Sequence, residues 1–185
     1  TSEDGLTWTF KLRKNSTWSN GTPVTAHDFE YSWKRTLTPE TAAEYSYIMA
    51  DIVGSSTKEI QENGVDGVGV KALDDYTLEV KLNRPVAYFA ELVSFQVFFP
   101  QNQAFVESCG DAYGSAADKQ LYNGPFTLTS WKMEDQFTME KNPNYWDAAN
   151  VKLNKINTKV VKDTGAEVSL YEDGQIDRAI LSSDY

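Results

Sequence analysis

Apolar and polar positions alternate strictly at the start of the chain. Leu6, Trp8, Phe10 and Leu12 point one way and Thr7, Thr9 and Lys11 the other, the signature of a half-buried strand. Asn20-Gly21 marks a turn, and Pro23 keeps the chain extended up to a helix. Thr25 and Asp28 have the spacing of a capping box in which Asp replaces the usual Glu or Gln. Ala26, Phe29, Trp33 and Leu37 then recur at helical spacing, with His27, Glu30 and Lys34 outside the stripe, until Pro39 stops the helix. A second helix is expected over Thr41 to Asp51, and a short helix with a loop over Gly54 to Gly67.

Further along, Val68, Val70 and Ala72 alternate, Asp74-Asp75 turn the chain, and Leu78, Val80 and Leu82 alternate back, which predicts a hairpin. Pro85 opens a short helix facing a core through Val86, Phe89, Ala90 and Val93. Pro100-Gln101-Asn102 reads as a sub-domain boundary, followed by a soft helical region to about Lys119. Strands are predicted over Tyr122 to Trp131, Gln136 to Lys141, around Ile156, Thr158 and Val160, and over Ile176 to Leu181, with a helix from the Asp163 cap to Gly174. Strands and helices intermix, so the class is α/β or α+β with a mixed sheet.

Composition narrows the partners. The 185 residues include 17 basic and 27 acidic side chains, a net charge of −10, which repels a phosphate backbone and argues against nucleic acid. No apolar run approaches the ~20 residues of a membrane span, so no direct membrane insertion is expected within the segment. Five Trp, ten Tyr and nine Phe require a packed core and leave some rings for a ligand cleft. The single cysteine, Cys109, excludes an intrachain disulfide and a multi-cysteine zinc site. Both ends of the sequence read as cut, so the chain is expected to be an excised piece of a longer protein.

Candidate chemistry is sparse. His27 is the only histidine, and any Ser-His-Asp, Cys-His or histidine-metal site would have to use it. Its place on the outer face of a capped helix assigns it to the surface. Cys109 lies in Glu-Ser-Cys-Gly without a basic neighbour to lower its pKa. The carboxylate pairs Asp74-Asp75, Glu134-Asp135 and Glu172-Asp173 fall where turns or helix ends are predicted. Asp163-Thr164-Gly165 fails the calcium-loop pattern, and the Gly64 to Gly69 stretch lacks the Lys-Ser/Thr of a phosphate loop. No catalytic residue, cofactor or metal ligand is assigned. Read from residues alone, the chain is an acidic, aromatic-rich binding protein, with a secreted carbohydrate-active or carbohydrate-binding domain as the alternative.

Six ordered segments carry a resemblance: Trp8-Thr9-Phe10-Lys11-Leu12-Arg13; Trp18 through Phe29; Tyr31-Ser32-Trp33-Lys34-Arg35; Tyr122-Asn123-Gly124-Pro125-Phe126; Lys141 through Asp147; and Tyr171 through Asp177. Together they resemble the family 5 extracellular solute-binding proteins of ABC importers, closest to the oligopeptide-binding branch. The resemblance implies a piece of a two-lobed fold of the type II periplasmic-binding-protein kind. Residues 1–100 would form the small sub-domain of the first lobe and 101–185 part of the first main lobe, with the second lobe absent from this chain. It implies a non-catalytic capture protein, with an oligopeptide as ligand and the membrane permease of the importer as partner; some relatives bind nickel, haem or sugars instead. The place of action would be the cell surface or periplasm, with a lipid anchor upstream of this segment. Tyr45 aligns with a family tyrosine that faces the peptide, and Ile180-Leu181-Ser182 with a ligand-contacting strand end. Leu181 and Ser182 are the ligand candidates there, although the stretch lacks the tyrosine-asparagine pair of some relatives. Asn142, Tyr145 and Trp146 read as structural positions without a ligand role.

Overall fold

The computed structural model describes residues 1–181. Strand β1 (Thr7–Lys11) pairs antiparallel with β3 (Thr77–Lys81), which pairs antiparallel with β2 (Val70–Asp74), giving the order β1-β3-β2. Trp8 faces Val80 and Phe10 faces Leu78, so the alternation read from sequence sets the register that buries one side. The β2-β3 turn is closed by the Asp74 carboxylate, which accepts the Tyr76 N–H at 2.8 Å.

Helix α1 (Ala26–Leu37) lies on this sheet. Its start follows the predicted capping box, the Asp28 carboxylate reaching back to the Thr25 N–H at 2.7 Å. Ala26, Trp33 and Leu37 are buried with Val70, Leu78, Val80, Leu82, Val86, Phe89 and Phe98 in one cluster. Trp33 stands edge-on to Phe98, ring centres 5.0 Å apart, and its Nε1 donates to the Phe98 carbonyl at 2.8 Å. Helices α2 (Thr57–Asn63) and α3 (Phe89–Leu92) close the sides of this core, and α4 (Gln103–Cys109) adds Val106 at its edge.

A second antiparallel sheet follows: β4 (Phe126–Lys132), β5 (Gln136–Lys141) and β6 (Lys155–Lys159), in the order β4-β5-β6. Helix α5 (Thr164–Glu172) begins at Asp163, whose side chain accepts the Ala166 N–H as predicted. Both sheets are antiparallel throughout, so a mixed sheet gives way to two antiparallel ones among the described residues, of which the second is a meander.

Three expected elements differ. The helix expected over Thr41 to Asp51 is replaced by 3₁₀ turns at Pro39–Thr41 and Ser46–Met49, because Ala42 takes a left-handed conformation (φ 49°) that no helix continues through. β4 starts at Phe126 rather than Tyr122. Asn142 claims the backbone before it, its amide NH₂ donating to the Gly124 carbonyl at 2.9 Å and its N–H to the Pro125 carbonyl at 2.9 Å. The strand expected over Ile176 to Leu181 is irregular, and the Ile180 N–H donates to the Glu167 carboxylate at 2.9 Å instead of to a neighbouring strand.

Candidate functional site

Tyr45 sits just before the Ser46–Met49 turn, and the buried side chains of Met49 and Ile52 fix that turn to the core. The left-handed Ala42 swings the preceding chain aside, so the ring is not packed beneath a helix. Its ring stands edge-on to Phe95 at 5.3 Å and tilted to Tyr47 at 6.1 Å. Tyr45 is 42% exposed, Tyr47 68% and Phe95 37%, so these three rings form a contiguous aromatic patch facing solvent. Rings held against each other but uncovered lose little mobility on binding, which suits a contact surface. Tyr47 shares with Tyr45 a stretch flanked by Ala42, Ala43 and Ala50, whose small side chains point to accessible rings. Sequence reading passed over Phe95, to which nothing local pointed because it arrives from another part of the chain.

The second group of site candidates is not joined to this patch. Leu181 is exposed, as is Ile180, and no hydrogen bond or ring contact links them to Tyr45 among the described residues. Ser182 lies outside the described residues.

Chemistry-bearing groups are dispersed. His27 Nε2 lies 3.4 Å from Asp75 Oδ1, with both side chains largely exposed, and no hydroxyl or thiol is bonded to the imidazole among the described residues. Cys109 is a free, half-buried thiol at the end of α4. Asp74 is held below the usual carboxylate range by the Tyr76 N–H, which marks it as a turn anchor. Glu134, at φ 58°, occupies the β4-β5 turn and pairs with Lys162 at 2.9 Å. Among the described residues no three His, Cys, Asp or Glu side chains gather to hold a metal, and no helix is long and apolar enough to cross a membrane.

The motif segments meet in a different place, the seam between the two sheets. Ser19 N–H donates to the Tyr122 carbonyl at 2.6 Å, and the Asn144 side-chain amide donates to the Ser19 carbonyl at 2.8 Å. Thr17 Oγ1 donates to the Asn144 carbonyl at 2.8 Å, and the Arg13 guanidinium lies 3.6 Å from the Trp146 ring centre. Asn142 is fully buried and ties Gly124 and Pro125 to the segment that carries Asn144, while Trp146 receives Arg13; it is Asn144 and Tyr122 that bond the Trp18 to Thr22 loop to the second region.

Comparison with known proteins places this architecture. The family model described as bacterial extracellular solute-binding proteins, family 5 Middle, matches residues 1–184. The oligopeptide-binding protein OppA of Bacillus subtilis is 41% identical over 179 residues, covering 97% of this chain and 33% of that protein. Listeria monocytogenes OppA bound to peptide superposes with a TM-score of 0.93 at 44% identity, covering 100% of this chain and 36% of that one. The pheromone receptor PrgZ, described with its mode of peptide binding, gives a TM-score of 0.94 at 34% identity, covering 100% and 37%. The chain thus spans about a third of the length of the relatives it matches. It belongs to the bacterial extracellular solute-binding proteins of family 5.

Proposed function

We propose that the chain is part of the ligand-capture component of an ABC importer, a non-catalytic protein that binds oligopeptides outside the cytoplasmic membrane and delivers them to a membrane permease. The observation that carries this reading is the match along the whole chain to proteins named for binding oligopeptides or dipeptides, one of them solved with peptide bound. Nothing in the site or the comparisons favours the carbohydrate alternative. A location at the cell surface or in the periplasm, with a lipid anchor upstream, belongs to the same proposal.

The distribution of buried residues supports the division into a small sub-domain over 1–100 and part of a main lobe over 101–185. Of the buried apolar side chains among the described residues, only Val106 lies beyond Phe98. The first region therefore closes its own core, while the second presents faces that a further segment of a longer chain would cover. In this reading the aromatic patch of Tyr45, Tyr47 and Phe95 is the small sub-domain's contribution to the ligand surface. Leu181 and Ser182 would contact ligand from the main lobe. Peptide held mainly through its backbone needs such flat, side-chain-tolerant contacts.

The test is Tyr45→Ala in the intact protein that carries these residues, with peptide affinity followed by calorimetry and stability by urea denaturation. Affinity is expected to fall about tenfold, while stability changes by less than about 1 kcal/mol because the ring is already half in water. A steep loss of stability with affinity unchanged would assign Tyr45 to packing and remove it from the site.

A further inference from the structure

The C-terminal end of α1 and the start of α2 border a cleft of about 430 Å³, within the ~300–1,000 Å³ range of small-ligand sites. Its walls include Thr36, Pro39, Ala50, Ser55 and Ile60, with the exposed Tyr47 beside them. No charged side chain lines it, in a chain of which 24% is charged. Two of the lining hydroxyls are already paired. Thr38 Oγ1 donates to the Lys34 carbonyl, and Ser56 Oγ is engaged with Glu59. Ser55, only 6% exposed, has an Oγ with no hydrogen-bond partner among the described residues. A buried hydroxyl left unpaired in a folded protein calls for an explanation, and a missing guest is one.

Tyr47 belongs both to the cleft and to the aromatic patch, its ring centre 6.1 Å from that of Tyr45. Alternate residues of an extended peptide project to the same side about 6.6 Å apart, from a rise of ~3.3 Å per residue. A strand-like ligand that lays one side chain on Tyr45 therefore brings the next but one to the mouth of the cleft.

We propose that this cleft receives one uncharged side chain of the bound peptide and prefers one ending in a neutral amide; the proposal rests on peptide capture as the role of the chain. An amide supplies both the acceptor and the donor that the Ser55 hydroxyl lacks, since that hydroxyl can turn to meet either. A lysine or glutamate would shed its hydration in the cleft and find no counter-ion there. The cleft thus adds selection by side chain to a surface that otherwise reads backbone.

The experiment walks a single Gln, Glu or Lys through each position of penta-alanine and measures affinity for the intact protein by calorimetry. At one position Gln is expected to bind at least about tenfold more tightly than Glu or Lys. Ala50→Trp, which fills the cleft from an exposed wall position, should abolish that preference and leave the other positions unchanged. Ser55→Ala should lower the Gln preference about threefold or more without lowering Tm, because it deletes an orphaned hydroxyl; a hydroxyl with a structural role would cost stability instead. Equal tolerance of Gln, Glu and Lys at every position, or a preference that survives Ala50→Trp, overturns the proposal. If penta-alanine and its variants all fail to bind, peptide capture itself is wrong. The cleft is then tested directly by NMR titration of the intact protein with N-acetylglutaminamide and N-acetyllysinamide. Shifts at Ala50 and Ser55 with the glutamine probe alone uphold an uncharged-amide site, and no shifts there refute it.

Discussion

Two antiparallel sheets of three strands each, built from the same kind of alternating sequence, reach different ends in this molecule. In the first, Val70, Leu78 and Val80 are each at most 2% exposed, and α1 covers them with Trp33 and Leu37. In the second, no residue of β4, β5 or β6 is fully buried, and α5 buries none of its side chains. Phe126, Leu128, Phe137, Met139 and Ile156 have the periodicity of core positions but stay half open to solvent. The difference teaches that strand pairing and strand coverage are separate achievements. Hydrogen-bond ladders close locally, whereas the hydrophobic contribution appears only when another layer excludes water from the face. Here the polar seam, rather than shared apolar packing, is what ties the second sheet to the first.

The sharpest way to break this comparison is a matched pair of tryptophan truncations. Trp33→Ala empties the centre of the first core and orphans the Phe98 carbonyl, so a loss of about 3–5 kcal/mol is expected. Trp131→Ala removes a ring that is 42% exposed and lies across from Phe137, and should cost less than about 1 kcal/mol. Urea denaturation of the two variants gives both numbers. Similar losses would mean that the second sheet is as well covered as the first and that the contrast fails.

Next in size is Asn142→Ala. The side chain is fully buried, donates to the Gly124 carbonyl at 2.9 Å and accepts the Asn144 N–H at 3.0 Å. Alanine leaves both groups unpaired beside the seam, a loss of about 1–3 kcal/mol. Amide hydrogen exchange locates the effect: protection is expected to fall at Asn144 and along β4 and β5, while β1 and β3 hold theirs. Uniform loss in both sheets would show the seam to be an integral part of the first core.

What was legible in the sequence follows the same division. The Trp8 alternation, the Thr25–Asp28 box, the β2-β3 turn and the Asp163 cap are set by side chains within a few residues of the backbone they organise, and each forms as read. The turn containing Tyr45 was misread as helix because its residues have adequate helical propensity. Only the conformation of Ala42 and the anchoring of Met49 decide otherwise, and neither is a local pattern. Ile176 to Leu181 alternate as a strand does, but a strand also needs a partner edge, which alternation cannot supply. At the site, Tyr45 was reachable through the resemblance and through its Ala-rich surroundings; its neighbour Phe95 depends on tertiary contact between distant segments. The burial of Asp28 and Asn142 was equally hidden, since both are polar residues in turn-forming surroundings.

Asp28 offers the smallest and most directional test, and it bears on the seam itself. Its Oδ2 accepts from Trp18 Nε1 at 3.4 Å and from the Thr25 N–H at 2.7 Å, while its carbonyl accepts the Gln101 N–H at 3.2 Å. Desolvation raises the carboxyl above its ordinary value of 3.8, outweighing the Thr25 and Trp18 hydrogen bonds that pull it down. The folded protein therefore holds this proton more tightly than the unfolded chain. The stabilisation from that proton is complete below the ordinary value and is lost as pH rises through the raised one. Asn places its carbonyl oxygen where Oδ2 stands and has no proton to lose, so Asp28→Asn lacks this term while keeping the bonds. Relative to the variant, the natural chain should lose stability as pH climbs from the ordinary carboxyl value of 3.8 through the raised one. Urea midpoints for the two proteins at several pH values across that window measure the slope. A natural chain that gains on the variant as pH rises would mean that the hydrogen bonds dominate, with the carboxylate an asset rather than a cost at the joint between the two regions.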